Sequence, residues 1–233
     1  MKIALIGYGK MGQMVEKAAL ERGHSIAARI SASSWNADAD AAQKADIWIE
    51  FSNPHSAVEN IIKAAQMKKP IVVGTTGWYD QLGIVQSTVE QQQIGAVYSP
   101  NYSIGINLYV EIASQVSSLL EGFPEYDVAG IEYHHNKKQD APSGTALAIA
   151  AAVEKNMKRI DKVSFSSVRC GSIPGTHTLL FDSPCDTISI THEARSREGF
   201  AAGAVLAAEW VQGKTGLYTF GECIQEYIYR RST

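Results

Sequence analysis

Two adjacent histidines and two adjacent lysines, His134-His135-Asn136-Lys137-Lys138, run straight into Gln139-Asp140-Ala141-Pro142-Ser143-Gly144-Thr145 and an alanine-rich stretch over 146–153. Imidazoles gain and lose protons near neutral pH; a lysine supplies fixed positive charge or, once desolvated, an acid whose pKa falls toward neutrality. Asp140 or Ser143 can cap a helix whose first turn tolerates Pro142 and which the alanines propagate. The backbone N–H groups of Gly144 and Thr145 then stand at a helix N-terminus, where amides and dipole attract a carboxylate or phosphate, and Gly144 lets a ligand approach without a Cβ in the way. The segment suits an acidic small molecule that needs a proton. Taken alone, His-His and Lys-Lys are equally read as a solvated polar loop before a capped helix.

A second stretch with chemical content lies near the start. Gly7-Tyr8-Gly9-Lys10-Met11-Gly12 fits G-x-G-x-x-G between the apolar Lys2–Ile6 and a helical pattern that stops at Gly23. In that context the glycines serve a tight turn, close approach of a pyrophosphate and helix–strand packing. Lys10 either adds charge beside the phosphates or is simply solvated. An acid about 20 residues onward would hold a ribose 2′-hydroxyl. Ser31 stands there instead, with Arg29, Ser33 and Ser34 nearby, a set that leans toward the 2′-phosphate of NADPH.

The elements that must position these groups alternate in type. Strands are expected at 2–6, 25–31, 46–52, 70–73 and 95–98, with helices between them, which implies a parallel sheet. Phe51 and Gly74-Thr75-Thr76-Gly77 fall at strand ends, the edge where open α/β sheets bind ligands. Ser99-Pro100-Asn101-Tyr102 begins a loop running to Asn107 that marks a first boundary. Further on, a helix at 109–121, a strand at 127–133, a β-rich stretch at 163–182 and an alternating strand at 187–192 suit an antiparallel sheet in a second domain. A helix from about 194 to 212 and a final one at 221–229 return the chain to the first. The expected division is 1–103 for the dinucleotide, 104–204 for substrate and assembly, and 205–233 returning: a Rossmann-like α/β domain with an inserted α+β domain.

The 233 residues are 45% hydrophobic, enough for a real core, and carry a net charge of −3, which argues against a nucleic-acid surface. Three cysteines without a C-x-x-C pair signal neither a disulfide framework nor a zinc site. No apolar run approaches a membrane span, and Met1 leads into a strand without a signal-like segment, so a cytoplasmic protein is expected.

The central segment, as His-His-x-x-Lys-x-Asp-Ala-Pro-Ser-Gly-Thr-Ala, resembles the signature of the dihydrodipicolinate reductase family, with Lys137 in a variable position. Gly74-Thr75-Thr76-Gly77, Pro100-Asn101-Tyr102-Ser103-Ile104-Gly105, Arg169-x-Gly171-x-x-Pro174-Gly175-x-His177 and Ser196-Arg197 with Phe200-Ala201-x-Gly203-Ala204 extend the resemblance. It implies NADPH- or NADH-dependent reduction of 4-hydroxy-tetrahydrodipicolinate in diaminopimelate and lysine biosynthesis, by a homotetramer joined through the inserted sheet. It further implies that His134 and Lys138 form an acid–base pair, and that His135, Lys138, Gly144 and Thr145 hold the two substrate carboxylates. Gly74, Thr75, Thr76 and Ser99 to Tyr102 would touch the cofactor, with Tyr102 keeping a stacking face where the family often has Phe. His177 is expected to make structural hydrogen bonds, with a place near the substrate as the alternative, and Arg197 is read equally as organising the pocket indirectly or as forming a surface salt bridge. Rival readings are another dinucleotide-dependent dehydrogenase of an amino-acid pathway, or a dinucleotide sensor without turnover; the central segment speaks against the first, and the missing partner-binding module against the second.

Overall fold

The computed structural model describes residues 1–31 and 35–229, so Ser33 and Ser34, expected near the ribose, lie outside the described residues. The chain opens with β1 (Lys2–Ile6), α1 (Lys10–Glu21), β2 (Ser25–Ile30), α2 (Trp35–Gln43), β3 (Ile47–Glu50), α3 (Pro54–Gln66), β4 (Ile71–Val73), α4 (Leu82–Gln92) and β5 (Gly95–Tyr98). Next come α5 (Ile104–Leu120), β6 (Asp127–His134), α6 (Gly144–Asn156), β7 (Ser164–Arg169), β8 (Thr176–Asp182) and β9 (Thr187–Glu193), before α7 (Glu198–Trp210), β10 (Gly216–Thr219) and α8 (Phe220–Tyr229). Two compact units result: Met1–Ser103 with Glu198–Thr233, and Ile104–Arg197.

The first unit carries a six-stranded sheet in the order β10-β5-β4-β3-β1-β2, every neighbouring pair parallel. Helices on both faces explain why β3 and β4 are buried at every position, as their continuous apolar runs suggest. The order reverses between β1 and β3, the place where such sheets leave a crevice beyond their carboxyl ends. All of α7 belongs to this unit. Its Glu198 and Glu209 pair with Lys17 of α1 and with Arg22 just after that helix, so the change of unit falls at 197/198 rather than at 204. The sequence reading also lacked β10, whose Gly-Leu-Tyr-Thr carries no apolar run, yet it pairs with β5 and closes the sheet. The expected loop to Asn107 ends early, because α5 begins at Ile104.

The second unit is a four-stranded sheet in the order β7-β6-β8-β9. It is mixed rather than antiparallel: α6 carries the chain from β6 back to the same side of the sheet, so β7 runs parallel to β6, while β8 and β9 pair antiparallel. Its core gathers Tyr109, Ala113, Ile149, Val153, Leu179 and Phe181, from α5, α6 and β8.

Candidate active site

At the carboxyl edge of the first sheet, space is made by glycines. Gly7 has φ +92° and a Cβ there would sit 2.2 Å from the Phe51 carbonyl oxygen, whereas one on Gly9 would meet nothing within 4 Å. A Cβ on Gly12 would lie 2.4 Å from Gly7 O, so this third glycine brings α1 close to the turn. No side chain caps α1 at Gly9, which leaves the amides of its first turn, from Lys10, Met11 and Gly12, for a ligand. These features fit a dinucleotide pyrophosphate. Tyr8 is half-buried beside the turn, and Lys10 is exposed at the start of α1.

A cavity of about 210 Å³ runs from Gly7 past Ser31 to Asn60 and Lys63 of α3. Ser31 lies at its rim, but Arg29 is already engaged. Its Nε donates to Glu16 Oε2 at 2.8 Å, its Nη2 donates to Glu16 Oε1, and its guanidinium lies 5.8 Å from the centre of the Tyr8 ring. Arg29 holds the Glu16 carboxyl below its usual pKa, and the Tyr8 hydroxyl donates to the same carboxylate.

Phe51 is half-buried and lies where a Cβ on Gly74 would be, 2.0 Å from its ring. Beneath it, Glu50 is wholly buried and accepts from Ser52 N at 3.0 Å, from the Ser52 hydroxyl and from Asn60 Nδ2 at 3.4 Å. Burial pushes the Glu50 carboxyl above its usual range. Thr75 is buried, with its carbonyl accepting from Trp78 Nε1 at 2.8 Å, and Thr76 is exposed. Ser99 Oγ donates to Asn101 O at 2.8 Å and accepts from Asn101 N at 3.1 Å, shaping the loop around exposed Pro100. Tyr102 differs from the expected stacking face. It is 2% exposed, and its hydroxyl bonds Val73 O at 2.9 Å and Val97 O at 3.0 Å, so it braces β4 against β5 while its ring packs on Phe220.

In the second unit the histidine–lysine segment leaves the end of β6. Alternation along the strand turns Glu132 and His134 inward together, and both are buried. Glu132 is where sequence reasoning fell short. Its Oε1 accepts from Ser143 N at 3.0 Å, Ser167 Oγ at 2.7 Å and Arg169 Nη2 at 2.9 Å. Burial works against its charge, but the Ser143 hydroxyl, then Ser167, Arg169 and the Ser143 amide, bring its pKa down to about 2. Arg169 also donates to Asp140 O at 2.6 Å, fastening the loop to β7. The signal was present: an acid at an inward-facing strand position, two residues before the histidine, needs partners.

His134 faces His177 at 5.1 Å between ring centres. Burial lowers the pKa of both, that of His177 to about 4, and Glu132 opposes the shift in each. His177 Nε2 lies 3.3 Å from Ser143 Oγ. His135 is half-buried, and its carbonyl accepts from Lys138 N at 3.1 Å. Lys138 Nζ donates to both oxygens of Asp140, at 2.7 and 2.9 Å. Lys138 is the main reason that the Asp140 carboxyl titrates below its usual range, and the Gly144 amide adds to it. Ser143, not Asp140, is the N-cap of α6, accepting from Ala146 N at 3.1 Å, and Gly144 and Thr145 form its first turn. Arg197 is exposed at the end of the unit.

Sequence models described as dihydrodipicolinate reductase, N-terminus and C-terminus, match residues 1–102 and 105–224. A 4-hydroxy-tetrahydrodipicolinate reductase of Christiangramia forsetii is 36% identical, covering 97% of this chain and 98% of the relative. One of Neisseria meningitidis is 38% identical over 87% of this chain and 81% of the relative. A dipicolinate-bound dihydrodipicolinate reductase from Paenisporosarcina sp. TG-14 shares the fold with a TM-score of 0.79 at 22% identity, covering 95% of this chain and 99% of that one. The chain belongs to the dihydrodipicolinate reductase family, oxidoreductases of diaminopimelate and lysine biosynthesis.

Proposed function

We propose that this chain reduces 4-hydroxy-tetrahydrodipicolinate to tetrahydrodipicolinate with His134 and Lys138 as the acid–base pair. A nicotinamide dinucleotide is the cofactor; when bound, it supplies the hydride, while the protein contributes orientation and charge. The substrate loses water and accepts that hydride together with a proton from the side of the histidine–lysine segment. His135, Lys138 and the amides of Gly144 and Thr145 hold its carboxylates.

One observation carries this reading. The segment already cradles a carboxylate, that of Asp140, against Lys138 Nζ at 2.7 and 2.9 Å and beside the Gly144 amide. That contact supports a carboxylate-binding role for Lys138 and the first turn of α6, and the dipicolinate held by the Paenisporosarcina relative is a dicarboxylate of the expected kind.

Coenzyme choice follows from Ser31. An acid in its place would accept from the ribose hydroxyls and repel a 2′-phosphate, so without one NADPH serves at least as well as NADH. The chain works in the cytoplasm as a homotetramer, with the inserted sheet as the joining surface. The face of that sheet turned away from α5 and α6 carries Ile131, Tyr133, Leu180 and Val168, none of them buried. No helix is long and apolar enough to cross a membrane among the described residues.

The test is oxidation of NADPH and of NADH with freshly made product of the preceding synthase, for the parent and Lys138→Ala. General acid catalysis contributes about 10²–10⁴-fold, so Lys138→Ala should lose at least that order in kcat/KM with dinucleotide affinity intact. A loss under roughly tenfold removes Lys138 from the acid–base pair; no turnover by the parent with either coenzyme removes the whole reading.

A further inference from the structure

Glu132 uses its two oxygens unequally. Oε1 accepts from Ser143 N, Ser167 Oγ and Arg169 Nη2, while Oε2, equally buried, has no hydrogen-bond donor among the described residues. What faces Oε2 is a pair of imidazole nitrogens, His134 Nδ1 and His177 Nε2, each at 3.5 Å. His134 Nδ1 in turn has no other partner among the described residues. A buried carboxylate oxygen without a donor is costly, and a slight approach of either ring N–H removes the cost. A lone pair on His134 Nδ1 would instead face a negative oxygen at 3.5 Å, too close for a water to bridge.

We infer that Glu132 is a positioning residue: through Oε2 it keeps the proton of neutral His134 on Nδ1, so that Nε2 is the atom that exchanges a proton with the substrate. The inference rests on the proton-donor role proposed for His134. Gly175 supports it from the other side of the ring. A Cβ there would come within 3.1 Å of His134 Nε2, so the glycine keeps that nitrogen uncovered. Ser143 links the same carboxylate to the substrate cradle, since its amide donates to Glu132 and its hydroxyl caps α6.

The charges around His134 decide the sign of a pH effect. Burial lowers its pKa most; Glu132 on β6 and Asp140 raise it, whereas Lys138 and Arg169 on β7 lower it, with His177 on β8 facing the ring and His192 on β9 acting on His177. As a proton donor His134 works below its pKa, so kcat/KM falls as pH rises through that value. Loss of the Glu132 charge removes a raising influence and moves the fall to lower pH.

The experiment compares the pH dependence of kcat/KM for the parent, Glu132→Gln and His134→Gln, and reads the imidazole tautomer by long-range ¹H–¹⁵N NMR, with His134→Gln identifying the signal. In Glu132→Gln the side-chain oxygen can still accept the three donors while its NH₂ donates to His134 Nδ1. The expected result is an Nδ1–H tautomer in the parent and Nε2–H in the variant, with the high-pH limb displaced downward by about one to three pH units, the effect of one nearby opposite charge. Lost activity with an unmoved limb and an unchanged tautomer would show Glu132 to be merely structural. Should Glu132→Gln not fold, an Nε2–H tautomer in the parent alone overturns the inference. Parent-like turnover by His134→Gln removes the proton-donor role instead, while the tautomer still reports on Glu132.

Discussion

Along the edge between Gly7 and Gly12 the protein offers backbone amides and open space, whereas between Glu132 and Thr145 it offers side chains held by a buried ionised carboxylate. The first region depends on atoms that are absent: a Cβ at Gly7 or Gly74 would fall 2.2 Å from Phe51 O or 2.0 Å from the Phe51 ring. The second depends on charge, since Glu132 binds Arg169 while Lys138 binds Asp140. The first region is therefore the more sensitive to added volume, and the second to a change of charge.

The largest test of this contrast is a methyl group added to each region. Gly7→Ala puts a side chain at φ +92° against the Phe51 carbonyl. The left-handed backbone alone costs about 1–2 kcal/mol, so the dinucleotide Kd should rise by roughly tenfold or more as the turn shifts. Gly144→Ala meets nothing within 4 Å and should leave both the melting temperature and dinucleotide affinity unchanged. Calorimetric titration with each coenzyme decides it, and equal losses in the two variants would break the contrast.

A charge change sharpens it at the ribose. Arg29 is compensated by Glu16, which also accepts from the Tyr8 hydroxyl. Glu16→Gln removes the compensation without adding volume, so Arg29 becomes available to a 2′-phosphate. The ratio of kcat/KM for NADPH over NADH should rise by about tenfold, the scale of one hydrogen bond to a charged group. Adding Arg29→Ala should abolish the gain. If the ratio stays high in the double variant, some other group reads the phosphate.

Much of this was legible in the residues. Gly7, Gly9 and Gly12 announced the turn, and the run from Ser143 into alanines announced α6, because local backbone requirements are written in local residue types. Sheet pairing was harder. β10 is four residues without an apolar run, and it exists because β5 offers it an edge, which no local pattern records. The parallel pairing of β7 with β6 likewise follows from where α6 delivers the chain. Tyr102 was assigned through the family resemblance and Arg29 by its nearness in sequence to Ser31. The core claims Tyr102 through Val73 and Val97, and a helix residue thirteen positions before Arg29 claims its guanidinium. Glu132 was missed because its partners, Ser167 and Arg169, come from a strand paired with it only in three dimensions.

The smallest expected effect comes from the carboxylate that the second region supplies to itself. Asp140 takes both of its bonds to Lys138 at 2.7 and 2.9 Å, and with the Gly144 amide nearby it sits where a substrate carboxylate is proposed to bind. An incoming dicarboxylate must then displace it, against like-charge repulsion and the loss of an ion pair. Asp140 is largely exposed, and exposed pairs contribute only about 0–1 kcal/mol, so the competition is weak but measurable. Asp140→Asn keeps the shape and removes the charge. Pyridine-2,6-dicarboxylate should bind the variant about two- to fivefold more tightly at low salt, within the range that 1 kcal/mol allows, and the gain should shrink as salt screens the repulsion. Weaker binding would mean that Asp140 holds Lys138 ready for the substrate rather than standing in its place. That outcome would also extend the role inferred for Glu132, with one carboxylate aligning the histidine and another the lysine.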